Sequence, residues 1–227
     1  MSSTIFSQAT DDADFIVRGV AVLKTGILEA IAERKMCLLG LSGGSTPKAI
    51  YEALGHEKID WSKVWIFLVD DRYIRADDPK SNQFLLRSTL LKNAAIPESQ
   101  VFFPDTSLPL NDCIDLYDRH LKDLLKKAAP DIVTLGMGDD GHIASLFPPL
   151  TDDMLGPKLV IHTTTEQFDV KDRISVTIPV LKQARQSVFF LKGQGKKKVW
   201  TEMTADPANE RRWPAKALEN VEVVAQW

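Results

Sequence analysis

Apolar and polar positions divide the chain into short, uniformly apolar runs and longer stretches of helical spacing. Phe15, Ile16, Val20, Leu23, Ile27 and Ile31 recur on one helical face behind Asp11 and Asp12, which predicts a capped amphipathic helix. Residues 36–41 form the first continuous apolar run. A second helical stretch follows from Pro47, a residue suited to a first helical turn, to Leu54. Residues 64–69 are again all apolar and stop at Asp70-Asp71-Arg72. Ser81 and Asn82 can cap a helix reaching about Leu91, and 110–127 reads as a further helix. Residues 132–135 form a third buried strand that runs into the glycine-rich segment 136–141. Later strands are expected at 159–163, 174–178 and 188–191, and a helix from about Lys196 to Thr204. Runs apolar on both faces, alternating with amphipathic helices, predict an α/β fold: a mainly parallel sheet with helices on both faces.

Three polar clusters each follow such a run, at 42–46, 70–72 and 139–142. In open α/β sheets the ligand crevice lies beyond the carboxyl ends of the strands, so these distant segments are expected to meet at one edge. Gly43 and Gly44 let the backbone approach an anion. The hydroxyls of Ser42, Ser45 and Thr46 can donate to it, and the following helix offers free N–H groups. That is a phosphate cradle. It lacks the Gly-Lys-Ser/Thr of a Walker A loop, and a plain strand-to-helix turn would use similar residues. Arg72 is suited to a bidentate grip on phosphate. Side chains alternate along a strand, so Asp70 and Arg72 are expected to share the site and Asp71 to face away.

Residues 136–142 contain a literal G-x-G-x-x-G after a strand. A dinucleotide reading needs that motif to open a crossover helix, and Pro148-Pro149 leave no room for one. The glycines are better read as holding a tight loop that presents Asp140 and His142. Histidine is the usual base for activating water, and a neighbouring carboxylate orients it and stabilises its protonated form. Asp139, Asp140 and His142 have no recognisable metal-ligand spacing, so no metal is expected. Arg173, opening a strand, and Lys196, after a strand and a glycine turn, are candidates to give positive charge to a phosphate. Lys197, Lys198, Arg211 and Arg212 read as solvated.

Composition narrows the class. The chain has 227 residues, with 28 Lys and Arg against 31 Asp and Glu, a net charge of −3. One domain spanning 1–227 is expected, large enough to need no disulfide or metal for its core. A mildly acidic chain has no global charge reason to seek nucleic acid or an anionic membrane. The run at 64–69 is far short of the roughly 20 apolar residues that span a bilayer, and no signal-peptide pattern precedes Asp14. Cys37 and Cys113 form no metal motif and fit buried thiols of a reducing compartment. A cytoplasmic location is therefore expected.

Together the clusters resemble the 6-phosphogluconolactonase family, within a wider group of sugar-phosphate enzymes that includes glucosamine-6-phosphate deaminase. The resemblance runs in order through 41–47, 69–72, Ser81-Asn82, 136–148, 173–181, 193–196 and Pro214-Ala215. It implies a Rossmann-like three-layer sandwich, a site free of metal and cofactor, and hydrolysis of a phosphosugar lactone, 6-phospho-D-glucono-1,5-lactone. It carries the family's phosphate contacts onto Gly43, Gly44, Thr46, Arg72 and Lys196, and its catalytic base onto His142 beside Asp140. Asp71 stands where the family usually has Glu, and the chain ends at Trp227, a little early for the family. The deaminase branch resembles Asp-Gly-His-Ile-Ala-Phe-Asn-Glu-Pro; here Phe147 occupies the Glu position, and Arg72 stands where that branch tends to have Tyr. Ring opening with isomerisation needs that extra proton-handling group, whereas lactone hydrolysis needs one base, a water and an oxyanion site. Domains of this fold also serve as sugar-phosphate sensors in transcription regulators. No helix-turn-helix or basic N-terminal patch is visible to support that role.

Overall fold

The structure is a computed structural model that describes residues 4–207 and 209–227. In chain order its elements are β1 (Thr4–Gln8), α1 (Asp12–Arg34), β2 (Cys37–Leu41), α2 (Lys48–Gly55), β3 (Val64–Leu68) and β4 (Asp70–Arg72). There follow α3 (Asn82–Ser88), α4 (Leu90–Asn93), β5 (Val101–Phe102), α5 (Leu110–Leu125), β6 (Ile132–Leu135) and α6 (Asp152–Leu155). The last are β7 (Val160–Thr164), β8 (Asp172–Val176), α7 (Ile178–Lys182), β9 (Gln186–Lys192), α8 (Gln194–Ala205) and β10 (Val221–Gln226).

Seven strands form one parallel sheet in the order β1-β10-β9-β6-β2-β3-β5. Its central strands are buried on both faces, as their unbroken apolar runs predict. Alternation sends Leu38, Phe67, Val133 and Phe189 into one core, packed under α5, α7 and α8. Leu39, Ile66, Ile132 and Val188 enter the other core, under α1, α2, α3 and α4. The result is the expected three-layer α/β arrangement. Asp11 caps α1 by accepting a bond from Asp14 N–H. Among the described residues no helix is long and apolar enough to cross a membrane.

Several boundaries differ from the sequence reading. The segments 159–163 and 174–178 were expected in the parallel sheet. Instead β7 and β8 pair antiparallel with each other and with β4, in a separate sheet ordered β4-β8-β7. The link between β7 and β8 is too short for the crossover that a parallel pair requires. The strand at 174–178 starts earlier and stops at Val176, because Ile178 and Pro179 open α7. The helix expected to run to Leu91 breaks at Thr89, whose hydroxyl bonds back to Leu85 O at 2.6 Å. Strands β1, β5 and β10 went unpredicted. This second small sheet stands over the carboxyl edge of the main one: Val69 N–H bonds to Leu41 O at the end of β2, and Val176 N–H to Val69 O.

Candidate active site

The carboxyl ends of β2, β4 and β6, the amino end of β8 and the start of α8 open on one cleft of about 380 Å³, a volume typical of small-ligand sites. Ser42, Gly43, Gly44, Thr46, Asp70, Arg72, His142, Arg173 and Lys196 all line it. Asp140 stands behind His142. The three clusters predicted to converge do so.

Side chains that the sequence reading passed over hold the glycine turn. Ser42 N–H donates to Thr134 Oγ1 at 3.0 Å, and Tyr51 OH donates to Ser42 O at 2.9 Å. The Thr134 hydroxyl can then give its own proton to the Tyr51 oxygen, 2.7 Å away, so one assignment satisfies all three groups. Tyr51 is fully buried, and burial pushes its hydroxyl well above the usual range. The turn also packs on Asn82: a Cβ at Gly43 would lie 1.8 Å from Asn82 Oδ1, so no side chain fits there. Among the described residues the N–H groups of residues 43–46 find no acceptor, which leaves them available to a ligand.

The positive end is unusual. Arg72 and Arg173 are directly opposed across the β4–β8 ladder, where like charges repel. Among the described residues neither has a carboxylate oxygen within 4.0 Å. Arg72 donates to Lys80 O, and its Nε is buried with no partner. Arg173 is buried; its Nε donates to Val170 O at 3.0 Å and its guanidinium sits 5.4 Å from the Phe168 ring. Burial first, and the charge of Arg72 second, lower the Arg173 pKa, against the pull of Asp70 and Asp71. An anion between the two guanidiniums would remove this penalty. Lys196 adds a third cation, held by Asp139 at 2.7 Å.

Alternation separates the two aspartates as expected. Asp70 faces the cleft, where its carboxylate accepts from Ser145 Oγ at 2.6 Å and lies 3.3 Å from Asn82 Nδ2. Asp71 is fully buried on the other side. It accepts from the N–H groups of Arg72, Asn82 and Gln83 and from Ser81 Oγ, fastening the start of α3 to β4. Burial outweighs these bonds and, with the neighbouring Asp70 charge, pushes the Asp71 carboxyl up to about 6. A raised acid pKa means the folded chain keeps a proton that the unfolded chain releases near 4. Its contribution is therefore complete below pH 4 and lost as pH rises to about 6. Relative to Asp71→Asn, wild-type stability is expected to fall by about 2–3 kcal/mol between pH 4 and 7. Urea unfolding at both pH values checks the sign; a relative gain would contradict it.

His142 Nδ1 lies 2.5 Å from Asp140 Oδ1. The loop that presents them is closed by Gly138 N–H to His142 O (2.8 Å) and Gly141 N–H to Gly138 O (3.0 Å). A Cβ at Gly138 would meet His142 Nδ1 at 2.1 Å, so the glycine makes room for the imidazole. Burial opposes ionisation of Asp140, but the hydrogen bond and charge of His142 prevail and lower its pKa. The imidazole is flanked by Phe147 at 4.7 Å and Phe168 at 5.9 Å between ring centroids. Arg212, read from sequence as solvated, donates to Asp140 O at 2.6 Å and stacks on Trp213, so it clamps this loop from behind. Arg211 likewise holds Leu150 O at 2.7 Å. Among the described residues no group of three His, Cys, Asp or Glu side chains could hold a metal ion.

The model of a family described as glucosamine-6-phosphate isomerases/6-phosphogluconolactonase matches residues 10–227. The chain belongs to this family. Its similar relatives fall on the 6-phosphogluconolactonase side. A Dictyostelium discoideum protein named "Probable 6-phosphogluconolactonase" is 46% identical over 86% of this chain and 85% of its own. A Synechocystis 6-phosphogluconolactonase is 34% identical over 90% and 86%. A crystal structure of 6-phosphogluconolactonase from Thermotoga maritima superposes with TM-score 0.88 over 99% of both chains, at 27% identity. A structure of the Plasmodium vivax 6-phosphogluconolactonase gives 0.89 over 98% of this chain and 90% of that one, at 30% identity. At position 147 an apolar ring lies against His142.

Proposed function

We propose that this chain hydrolyses 6-phospho-D-glucono-1,5-lactone to 6-phospho-D-gluconate, as one sugar-phosphate-binding domain spanning 1–227. The observation that carries this reading is the Arg72–Arg173 pair, which has no carboxylate partner among the described residues, in the same cleft as the His142–Asp140 pair. The phosphate sits in the 42–46 turn with Arg72 and Lys196, which fixes the far end of the sugar and leaves C1 near His142. Asp140 accepts the Nδ1 proton of His142, so Nε2 is the free base. Nε2 takes a proton from water as the oxygen attacks C1. The Gly43 and Gly44 N–H groups stabilise the resulting oxyanion, while Arg173 stays with Arg72 at the phosphate. Collapse breaks the bond from C1 to the ring oxygen, and His142 returns the proton to that oxygen. Asp140 stabilises the transient imidazolium. No cofactor takes part in these steps. The reaction belongs to the oxidative pentose phosphate pathway, and two buried free thiols, Cys37 and Cys113, suit a cytoplasmic setting.

A coupled lactonase assay, run beside a glucosamine-6-phosphate deamination assay and an enzyme-free control, tests the proposal. Lactone hydrolysis above the spontaneous rate with no deamination is expected. Deamination in the absence of lactone hydrolysis would reverse the assignment, and binding without either reaction would leave a sensor.

A further inference from the structure

We propose that Phe168 is a specificity-determining residue that covers the sugar ring, and this rests on the phosphosugar reading of the cleft. Phe168 sits on the turn between β7 and β8 and remains 44% exposed. Of the large exposed apolar side chains it alone lines this cleft, among the described residues. A large apolar side chain left open to water on the wall of a ligand-sized cleft is best explained by a ligand surface that covers it. Its position selects which part of the ligand that is. The ring lies 5.4 Å from the Arg173 guanidinium and edge-on to His142, 5.9 Å away. It therefore adjoins the interval between the anion-binding cations and the base. In a phosphorylated lactone that interval holds the ring carbons, whose C–H groups pack on an aromatic face.

The turn is built to hold Phe168 there. Thr165 N–H bonds to Lys171 O at 3.2 Å and closes it, and Gln167 N–H bonds to Thr165 Oγ1 at 3.1 Å. Arg173 clamps it from within through Val170 O, and Lys80 pairs with Asp169 at 2.9 Å from outside. The exposed Lys80 pair adds little; the buried Arg173 bond sets the position. One arginine thus faces the anion and fixes the ring cover.

The test compares two ligands by calorimetry, which needs no turnover: glucose 6-phosphate, which has the ring, and inorganic phosphate, which does not. Wild type is expected to bind glucose 6-phosphate more tightly. Phe168→Ala is expected to weaken glucose 6-phosphate about tenfold while leaving inorganic phosphate within about twofold, and Phe168→Tyr to restore the ring ligand. An unchanged affinity of Phe168→Ala for glucose 6-phosphate would overturn the inference. So would an equal loss for both ligands, which would mean that the ring only props Arg173. Wild type binding neither ligand would remove the anion-site reading together with this one. A failed lactonase assay beside a selective Phe168→Ala effect would leave this inference standing on its own.

Discussion

His142→Ala is expected to lower kcat for lactone hydrolysis by about 10²–10⁴-fold, the usual worth of a positioned general base, with KM changed little. The split follows from the geometry. The imidazole stands at the loop end of the cleft, held by Asp140 at 2.5 Å, while the anion is held by the glycine turn and the cations. Because the substituted residue sits at a cleft wall rather than in either core, the circular dichroism spectrum and melting temperature should stay close to wild type. Asp140→Asn should lower kcat too. An amide cannot stabilise the imidazolium or fix the tautomer as the carboxylate does, yet it leaves the phosphate grip alone. If Asp140 only propped the loop, Asp140→Asn would disturb KM and kcat together. Full turnover by His142→Ala would end the mechanism.

Arg72→Ala should act on the other parameter. Two charge-assisted bonds to a phosphate are worth about 3–4 kcal/mol together, so KM for the phosphorylated lactone should rise about 10²–10³-fold. Arg72→Lys should recover only part of this, because an ammonium cannot reproduce the planar fork. The unliganded protein should change little in stability: the repulsion with Arg173 is relieved as the exposed bond to Lys80 O is lost, and among the described residues the Arg72 guanidinium has no carboxylate partner. Titration with inorganic phosphate and urea unfolding of the same variant measure both effects. A variant that bound phosphate normally but unfolded more easily would make Arg72 a structural residue.

Much of this was legible in the chain because it depends on local rules. Residues 36–41 and 64–69 carry no polar side chain and 132–135 only Thr134, and that pattern has one economical home, the middle of a parallel sheet. Alternation along a strand is enough to separate Asp70 and Arg72 from Asp71. The proline pair after Gly141 excluded a crossover helix. What remained hidden depends on pairings across long stretches of chain. Thr134 reads as one more residue of a buried strand, and only its approach to Ser42 and Tyr51 makes it a support of the anion turn. Asn82 reads as a helix cap, and Ser145 as a loop residue, until both reach Asp70. Arg212 has no neighbour in sequence that suggests Asp140 O as its partner. The split of the later strands into a second sheet turned on a short connection, which hydropathy does not report.

The central claim is that a bound phosphate positions a lactone for His142. Hydrolysis of 6-phosphoglucono-1,5-lactone and of unphosphorylated glucono-1,5-lactone by the intact chain, each corrected for spontaneous opening, tests it most directly. The account predicts a kcat/KM at least about 10²-fold higher for the phosphorylated substrate, from the same two charge-assisted bonds. Equal kcat/KM for the two lactones would contradict it.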